Sequence, residues 1–138
     1  MAADPAIVKE LGSTDLFGKV GRKSLEAIAS QARVVQHAPG KEITEEGGSA
    51  TGFHFIRSGT ASVEVGGSAR PSLGPGDYFG EISLIDGKPR SATVTADGPL
   101  TTISLASWAF KPILDEETDV AKALLVVMCQ RLRAAEHR

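Results

Sequence analysis

The spacing of hydrophobic residues divides the chain into two helical ends and a central block with a strand-like pattern. Near the N-terminus, apolar residues three or four positions apart predict two short helices, over residues 6–11 and 24–32. The Ser24 hydroxyl is expected to cap the second helix by accepting a hydrogen bond from a free amide in its first turn. Leu16 and Phe17 are expected to fill the loop between the helices as an apolar plug. The helical pattern rests on Ile7, Leu11, Leu25, Ile28, Ala29 and Ala32.

From residue 34 to residue 105 the period of the pattern shortens to two. Ala61 and Val63, for example, alternate with polar side chains. Turns rich in glycine or proline interrupt the alternating runs every few residues, and Gly66-Gly67 is typical of a hairpin turn. About eight short runs of this kind predict an antiparallel sandwich or barrel. A doubly wound parallel sheet is disfavoured because no helices separate the runs.

Helical spacing returns at the C-terminal end. Residues 107–114 predict a short helix that Pro112 should keep from continuing much further. Residues 118–137 predict the longest helix, with acidic residues near its start, as the helix dipole prefers. Its apolar face consists of Val120, Leu124, Val127, Met128, Leu132 and Ala135.

Leu125 and Cys129 widen this face beyond what one contact surface needs. Two interpretations are therefore open. The helix can lie deep against the β block, or it can dock there in one state and on a second subunit or ligand in another.

Length and composition predict one domain with a single core. The chain has 138 residues, and we expect helices over about 6–32, a β block over about 34–105 and helices over about 107–137. A formal net charge of −2 disfavours a general nucleic-acid-binding surface. One cysteine excludes an intramolecular disulfide framework. No apolar run approaches the roughly 20 residues of a membrane span, and the N-terminus lacks a signal-peptide pattern, so we expect a cytoplasmic protein.

Residues 78–94, YFGEISLIDGKPRSATV, bring several candidate binding groups close together. Gly80 lets the backbone approach a ligand, and the residues after it can begin a short helix whose free amides suit an anion such as phosphate. Glu81 would repel a phosphate there, so we expect it to accept hydrogen bonds from ligand hydroxyls such as those of a ribose. Arg90 supplies a permanent positive charge and a planar fork that matches phosphate. Ser91 can add a hydroxyl donor.

The same residues allow a simpler interpretation. A glutamate at a helix start often only complements the helix dipole, and an arginine at a strand start is often solvated. A structural salt bridge between Glu81 and Arg90 would account for both residues without a ligand. From the residues alone, the salt bridge and the phosphate-sugar site are equally open.

FGEISLIDGKPRSATV resembles the phosphate-binding cassette of the cyclic nucleotide-binding domain family. That cassette reads Phe-Gly-Glu, a few apolar or small residues, a short turn, and then Pro-Arg-Ser/Thr/Ala-Ala before a β-branched run. The wider frame is similar as well, with Ser58-Gly59 after a β run and LGPGDYFGE before the cassette. From about residue 16 to residue 132 the chain resembles one stand-alone domain of this kind, like the regulatory domains of catabolite activator proteins and cyclic-nucleotide-dependent kinases.

The resemblance implies a fold and a set of binding residues. The fold would be mainly β: an antiparallel, jelly-roll-like β-roll (a double-stranded β-helix) of eight strands, with N-terminal helices and a C-terminal helix pair. Glu81 would bind the ribose 2′-hydroxyl, Arg90 would bind the cyclic phosphate, and Ser91 would touch phosphate or base. Backbone amides would lie along the sugar-phosphate at Gly80, Ile82 and Ser83.

The nucleotide is suggested by Ser91. Family members commonly carry threonine at this position when they prefer cGMP, and alanine or serine when they prefer cAMP. The resemblance therefore favours cAMP over cGMP as the ligand.

The base end of the expected site departs from the catabolite activator type. That type contacts adenine with a Thr-Ser pair on the long C-terminal helix, and the matching positions here hold Ala135 and Glu136. Arg131 matches an arginine that reaches toward the nucleotide in that type, so Arg131 and Leu132 are the lid candidates. We expect no DNA-binding domain in this chain, because no helix-turn-helix sequence follows His137-Arg138.

These features predict a non-enzymatic sensor without catalytic residues, cofactor or metal. It would relay nucleotide binding through its C-terminal helices to an unidentified protein partner or to a second copy of itself. A ligand-independent interaction module that retains the fold is one alternative. A cupin-type β-barrel enzyme is another, which the scattered His37, His54 and His137 disfavour because metal ligands cluster.

Two further residues have structural predictions. Trp108 is expected to anchor the last strand to the helices, and Cys129 is expected to be a small core residue.

Overall fold

The structure, a computed structural model, describes residues 3–44, 52–88 and 92–137. These residues form five helices and eight strands. They divide into two compact units, one made of Met1–Ser30 with Lys111–Arg138 and the other of Gln31–Phe110. The expectation of a single domain over residues 1–138 stays a prediction.

The second unit contains two four-stranded antiparallel sheets. Their strand orders are β1-β8-β3-β6 and β2-β7-β4-β5. The predicted fold class, mainly antiparallel β with flanking helices that include one at the C-terminus, is confirmed. The strands are β1 (Arg33–His37), β2 (Glu42–Thr44), β3 (Phe53–Ser58), β4 (Ala61–Val65), β5 (Ser68–Leu73), β6 (Tyr78–Phe79), β7 (Thr93–Ala96) and β8 (Leu100–Leu105).

The core of this unit is assembled from alternate residues of both sheets. Ala61 is fully buried while Ser62 and Glu64 on the same strand are exposed, as the alternating pattern predicts. Strand β3 differs, because all four residues from Phe53 to Ile56 are buried and both of its faces are therefore covered. One core cluster of this unit consists of Ile56, Ala61, Phe79, Val94, Ala96 and Leu100, with Ile43, Val63 and Leu73 packed against it.

The hairpin between β4 and β5 has the predicted turn. Gly66 and Gly67 have φ values of 58° and 79°. Positive φ at both central positions is the requirement of a type I′ turn, whose twist matches that of the flanking strands. Glycine meets this requirement without strain.

The first unit contains α1 (Pro5–Gly12), α2 (Arg22–Ser30) and α5 (Thr118–Glu136). Leu16 and Phe17, in the loop after α1, are fully buried, so the predicted apolar plug is confirmed. Thr14 fixes the loop, since its hydroxyl donates to the Leu11 carbonyl at 2.7 Å and accepts from the Phe17 amide at 3.1 Å.

The predicted N-cap role of Ser24 is wrong. Helix α2 begins two residues earlier, at Arg22, so Ser24 lies inside it. Its hydroxyl donates instead to the carboxylate of Asp119 at 2.8 Å. The same carboxylate accepts from the Gly21 amide at 3.2 Å, which gives the start of α2 a partner from a distant part of the sequence.

Helix α4 (Ser107–Glu116) corrects two predictions. It continues four residues beyond Pro112, because losing one hydrogen bond inside a helix does not prevent the next turns from forming. Trp108 is 78% exposed and is not the anchor that the sequence suggested. Phe110, two residues later, is fully buried in its place.

Helix α5 buries only part of its predicted apolar face. Val120, Ala123, Leu124 and Val127 are buried. The expectation that Cys129 is a core residue is wrong, because it is exposed. The large exposed apolar side chains of the helix are Leu125, Val126 and Leu132, and Ala134 and Ala135 are exposed too. No helix in the described residues is both long and apolar enough to cross a membrane.

Candidate functional site

The candidate site begins where β6 ends. Tyr78 and Phe79 pair with β3, with Phe79 opposite His54. Gly80 follows in the left-handed conformation, at φ 84° and ψ 10°. A residue with a Cβ atom is strained in this conformation, so glycine is what allows the chain to turn directly from strand to helix.

Helix α3 (Glu81–Asp86) starts at that turn, and the predicted short helix is confirmed. Its first hydrogen bond runs from the Leu84 amide to the Gly80 carbonyl at 3.0 Å. The amides of Ile82 and Ser83 belong to the first turn of α3, where an N–H group has no acceptor four residues earlier within the helix. The backbone therefore presents donors at the residues for which the sequence predicts contacts with a sugar-phosphate.

The side chains of α3 point in different directions. Ser83 and Leu84 are buried, and Ile82 is 53% exposed. Glu81 is half-buried at the first position of the helix. Packing of Ser83 and Leu84 thus holds α3 against the sheets, which fixes Glu81 relative to β6.

The helix ends in a second left-handed glycine. Gly87 has φ 69°, and its amide donates to the Ser83 carbonyl at 2.9 Å. The Lys88 amide then donates to the Asp86 carboxylate at 2.9 Å. Gly87 and Lys88 are the last described residues before position 92.

Arg90 and Ser91 lie outside the described residues, as does Pro89. Their contacts with phosphate and base stay predictions, and so does the alternative Glu81–Arg90 salt bridge. The description resumes at Ala92, and β7 pairs with β2 and β4 from Thr93 onward.

The lid candidates belong to the helical unit. Arg131 is half-buried on α5, and its Nη2 atom lies 3.9 Å from the Asp15 carboxylate. Leu132 is 62% exposed. The lid role of both residues stays a prediction.

Comparison with known proteins identifies the family. The sequence profile described as "Cyclic nucleotide-binding domain" matches residues 34–117, which is more than half of the chain. The chain belongs to the cyclic nucleotide-binding domain family. Residues 78–88, with the Gly80 turn and α3, lie inside the matched region.

Known proteins similar to this cyclic nucleotide-binding domain differ in what surrounds the domain. A cyclic nucleotide-gated potassium channel of Mesorhizobium japonicum is 31% identical over 125 residues, which are 91% of this chain and 35% of the channel. A cGMP-dependent protein kinase of Toxoplasma gondii is 34% identical over 95 residues, which are 69% of this chain and 10% of the kinase. The chain therefore spans about a third or less of these relatives.

A solved structure shows a similar fold over nearly the whole length. The N-terminal domain of a transcriptional regulator from Streptomyces coelicolor A3(2) aligns with a TM-score of 0.80 and 25% identity, covering 93% of each chain. The two-sheet arrangement with flanking helices is thus shared with a regulator domain of matching size.

The β unit of this cyclic nucleotide-binding domain also contains a polar cluster that the sequence did not reveal. Thr102 lies between two histidines: its hydroxyl is 2.9 Å from His37 Nε2 and 3.4 Å from His54 Nδ1. The two imidazole rings are 5.9 Å apart. The prediction treated the histidines as scattered, because their proximity depends on the pairing of β1 and β3 with β8. In the described residues, no group of three or more His, Cys, Asp or Glu side chains is placed to hold a metal ion.

The two histidines differ in exposure. His54 is buried, with 7% of its surface exposed, whereas His37 is half-buried. Partial burial, together with the positive charge of Lys41, holds the pKa of His37 below its ordinary value of 6.5. His37 also lines an open cavity of about 480 Å³ that is formed by Gln36, His37, Ala38, Pro39, Pro99, Leu100 and Thr101.

Proposed function

We propose that this cyclic nucleotide-binding domain is a non-enzymatic sensor that prefers cAMP to cGMP and relays binding through α5. The observation that carries the proposal is the left-handed turn at Gly80. Because of this turn, the half-buried Glu81 and the first turn of α3 follow directly after β6. In a member of this family, a carboxylate beside amide donors suits a ligand that offers both sugar hydroxyls and a phosphate.

Binding would combine groups from both ends of residues 80–91. Glu81 would accept from the ribose 2′-hydroxyl, and the amides of Gly80, Ile82 and Ser83 would line the sugar-phosphate. Arg90 would provide the charge that the short helix alone does not supply. Ser91 would contact phosphate or base, and its small hydroxyl side chain supports the preference for cAMP.

The relay is assigned to α5 because that helix has an exposed apolar surface. Leu125 and Leu132 are 64% and 62% exposed, seven residues apart on one side of the helix. A ligand shifts an equilibrium only through different affinities for two states, so the helix must have two arrangements. The partner would be an unidentified protein or a second copy of this chain. The location is proposed to be cytoplasmic.

A matched pair of variants tests the binding site. Arg90→Leu removes the proposed phosphate contact, and Lys88→Leu removes one positive charge two residues away. We expect Arg90→Leu to weaken cAMP binding about 100-fold or more, because charge-assisted hydrogen bonds contribute about 1.5–3 kcal/mol each. Lys88→Leu should change affinity by about twofold at most. If both variants bind like the wild type in calorimetry, the proposed site is wrong.

The relay has its own test. Hydrogen exchange of Thr118–Glu136, measured with and without saturating cAMP, should change over several consecutive amides of α5. If cAMP binds but the hydrogen exchange of α5 does not change, the signal does not pass through α5.

A further inference from the structure

Four side chains form a row across the inner face of the sheet β1-β8-β3-β6, one from each strand. His37, Thr102, His54 and Phe79 follow one another in the order of the strands. Thr102 lies opposite Val35 of β1 and opposite Ile56 of β3. His37 is two residues after Val35, and His54 is two residues before Ile56. Side chains two residues apart on a strand point to the same face of the sheet, so the register places all of these side chains on one face. We call His37, Thr102, His54 and Phe79 the histidine row.

The row ends at the candidate nucleotide site. The His54 ring stacks on the Phe79 ring, with centroids 5.0 Å apart and an angle of 17° between the planes. Phe79 is buried and directly precedes the left-handed Gly80 and the first residue of α3. A shift of the His54 ring would therefore move Phe79 and, with it, the start of the Gly80 turn.

Thr102 couples the two histidines. A threonine hydroxyl has one proton, so it can donate to only one imidazole and must accept an N–H from the other. Both hydrogen bonds of the Thr102 hydroxyl can form when the two rings are neutral, one ring presenting an N–H group to the hydroxyl and the other an unprotonated nitrogen. If both rings are protonated, each can only donate to the hydroxyl, and the Thr102 proton loses its acceptor in a site where Thr102 is fully buried.

Charge acts in the same direction. Two imidazolium rings 5.9 Å apart would repel one another in a region lined by the apolar core. Burial lowers the pKa of His37, and the charge of Lys41 adds to this effect, so the fold favours the neutral ring.

We propose that the histidine row is a proton-sensitive support that positions residues 80–83, so that nucleotide affinity falls as the pH drops from 8 to 6. The inference rests on the proposed function for its effect on affinity. Its structural part, the coupling of the two histidines to the Gly80 turn, concerns the ligand-free protein. His54 acts here as a positioning residue through Phe79.

Histidine is the side chain whose ordinary pKa lies closest to the range from pH 6 to pH 8. Strands β7 and β8 carry no ionisable side chain. On the remaining strands, the β1–β2 turn and the helix α3 that packs on β3, the ionisable neighbours are Arg33, Lys41, Glu42, Arg57, Glu64, Arg70, Tyr78, Glu81 and Asp86. A response in this pH range therefore comes from the histidines.

Solvent reaches the row at its β1 end. His37 lines the open cavity at the β1 end, whereas His54 is buried deeper in the sheet. Protons would enter at His37 and reach His54 across the Thr102 hydroxyl, which touches both rings.

The test begins with ligand-free protein. Amide and histidine ring resonances are followed by NMR from pH 8 to pH 5.5. We expect the amides of Gly80 and Glu81 to shift with the same midpoint as the His54 ring. Amides that stay unchanged while the rings titrate would overturn the proposal.

Three variants assign the response. His54→Phe keeps an aromatic ring for the stack on Phe79 and removes the proton, so the shift of the Gly80 amide should disappear. His37→Gln, at a half-buried position, should move the His54 midpoint, and His137→Gln at the end of α5 is the matched control that should change nothing. A Gly80 response that persists in His54→Phe would contradict the inference.

Affinity is measured last, with cAMP as the probe. Between pH 8 and pH 6 we expect the wild type to lose up to about tenfold in affinity, since a coupling of one pKa unit corresponds to a tenfold change. His54→Phe should show a pH-independent affinity. Failure of cAMP to bind at any pH would contradict the proposed function alone. Binding of cAMP by the wild type with an affinity that does not depend on pH would overturn the proposed role of the histidine row.

Discussion

Asp119 at the start of α5 accepts a hydrogen bond from the hydroxyl of Ser24, 95 positions earlier, at 2.8 Å. The same carboxylate accepts from the Gly21 amide at 3.2 Å. One side chain thereby joins the beginnings of α2 and α5 within the helical unit. A position that looked like a local helix cap is instead a link between distant parts of the sequence.

The first prediction concerns this link and pH. The hydrogen bond from Ser24 holds the pKa of Asp119 below its ordinary value of 3.8, and the Gly21 amide acts in the same direction. The stabilisation is complete above the ordinary value and is lost as the pH falls through the lowered native value. Asp119→Asn should therefore reduce the melting temperature at pH 7, and the difference from the wild type should shrink at low pH.

Asp115→Asn is the matched control for this prediction. Asp115 pairs with Lys111 at 3.3 Å on the exposed side of α4, and both side chains are more than half exposed. Its replacement should change the melting temperature little at any pH. Equal effects of the two substitutions would mean that the contacts of Asp119 do not stabilise the fold.

Two glycines allow a test of close backbone packing. Gly59 and Gly76 have nearly the same φ, 92° and 91°, but a Cβ atom at Gly59 would collide with the Pro99 carbonyl oxygen while a Cβ at Gly76 would meet open space. Gly76→Ala should cost about 1–2 kcal/mol from backbone conformation alone. Gly59→Ala should cost about 1–3 kcal/mol more, measured by denaturant unfolding. Similar losses in the two variants would disprove the close approach of β3–β4 to β8.

Glu81 is expected to contribute directly to nucleotide affinity. Glu81→Gln keeps the shape of the side chain but removes the charge of the proposed acceptor for the ribose hydroxyl. Affinity for cAMP should fall about ten- to a hundredfold, since such a bond contributes about 1.5–3 kcal/mol. Asp86→Asn, at the exposed end of the same helix, serves as the control and should bind normally. Normal cAMP binding by Glu81→Gln would show that Glu81 does not contribute to nucleotide binding.

Ser91 is expected to influence which nucleotide is preferred. Ser91→Thr should raise the affinity for cGMP relative to cAMP, because family members that prefer cGMP commonly carry threonine here. Competition between the two nucleotides for a labelled ligand measures the ratio. A ratio unchanged by the substitution would place the choice of base elsewhere.

Trp108 and Phe110 should respond oppositely to truncation. Trp108→Ala removes a side chain that is 78% exposed and should change the free energy of unfolding by about 0.5 kcal/mol or less. Phe110→Ala empties a fully buried position and should cost about 3–5 kcal/mol. A large loss from Trp108→Ala would restore the anchor role that the sequence suggested.

Local patterns predicted the features that depend on neighbouring residues. Alternation around Ala61 and Val63 gave the strands, Gly66-Gly67 gave the hairpin, and the order of Gly80 and Glu81 gave the short helix. Each of these features depends on the backbone preference of a residue or on which face of a strand its side chain occupies, and both are properties of a few consecutive residues.

Features that depend on distant pairing could not be predicted in the same way. His37 and His54 meet only because β1 and β3 both pair with β8, and that register involves long-range contacts. Ser24 finds Asp119 only after α2 and α5 have packed together. The exposure of Trp108 is a different case. Phe110 shares a side of α4 with Ile113 and Leu114, three and four residues later, so helical spacing already favoured its burial over that of Trp108.

Calorimetric titration of the wild-type chain with cAMP, cGMP and 5′-AMP is the most direct test of the sensor proposal. We predict saturable binding of cAMP at one site per chain, weaker binding of cGMP, and no binding of the non-cyclic 5′-AMP at the same concentrations. Absence of heat and of thermal protection with submillimolar cAMP and cGMP would contradict the proposal.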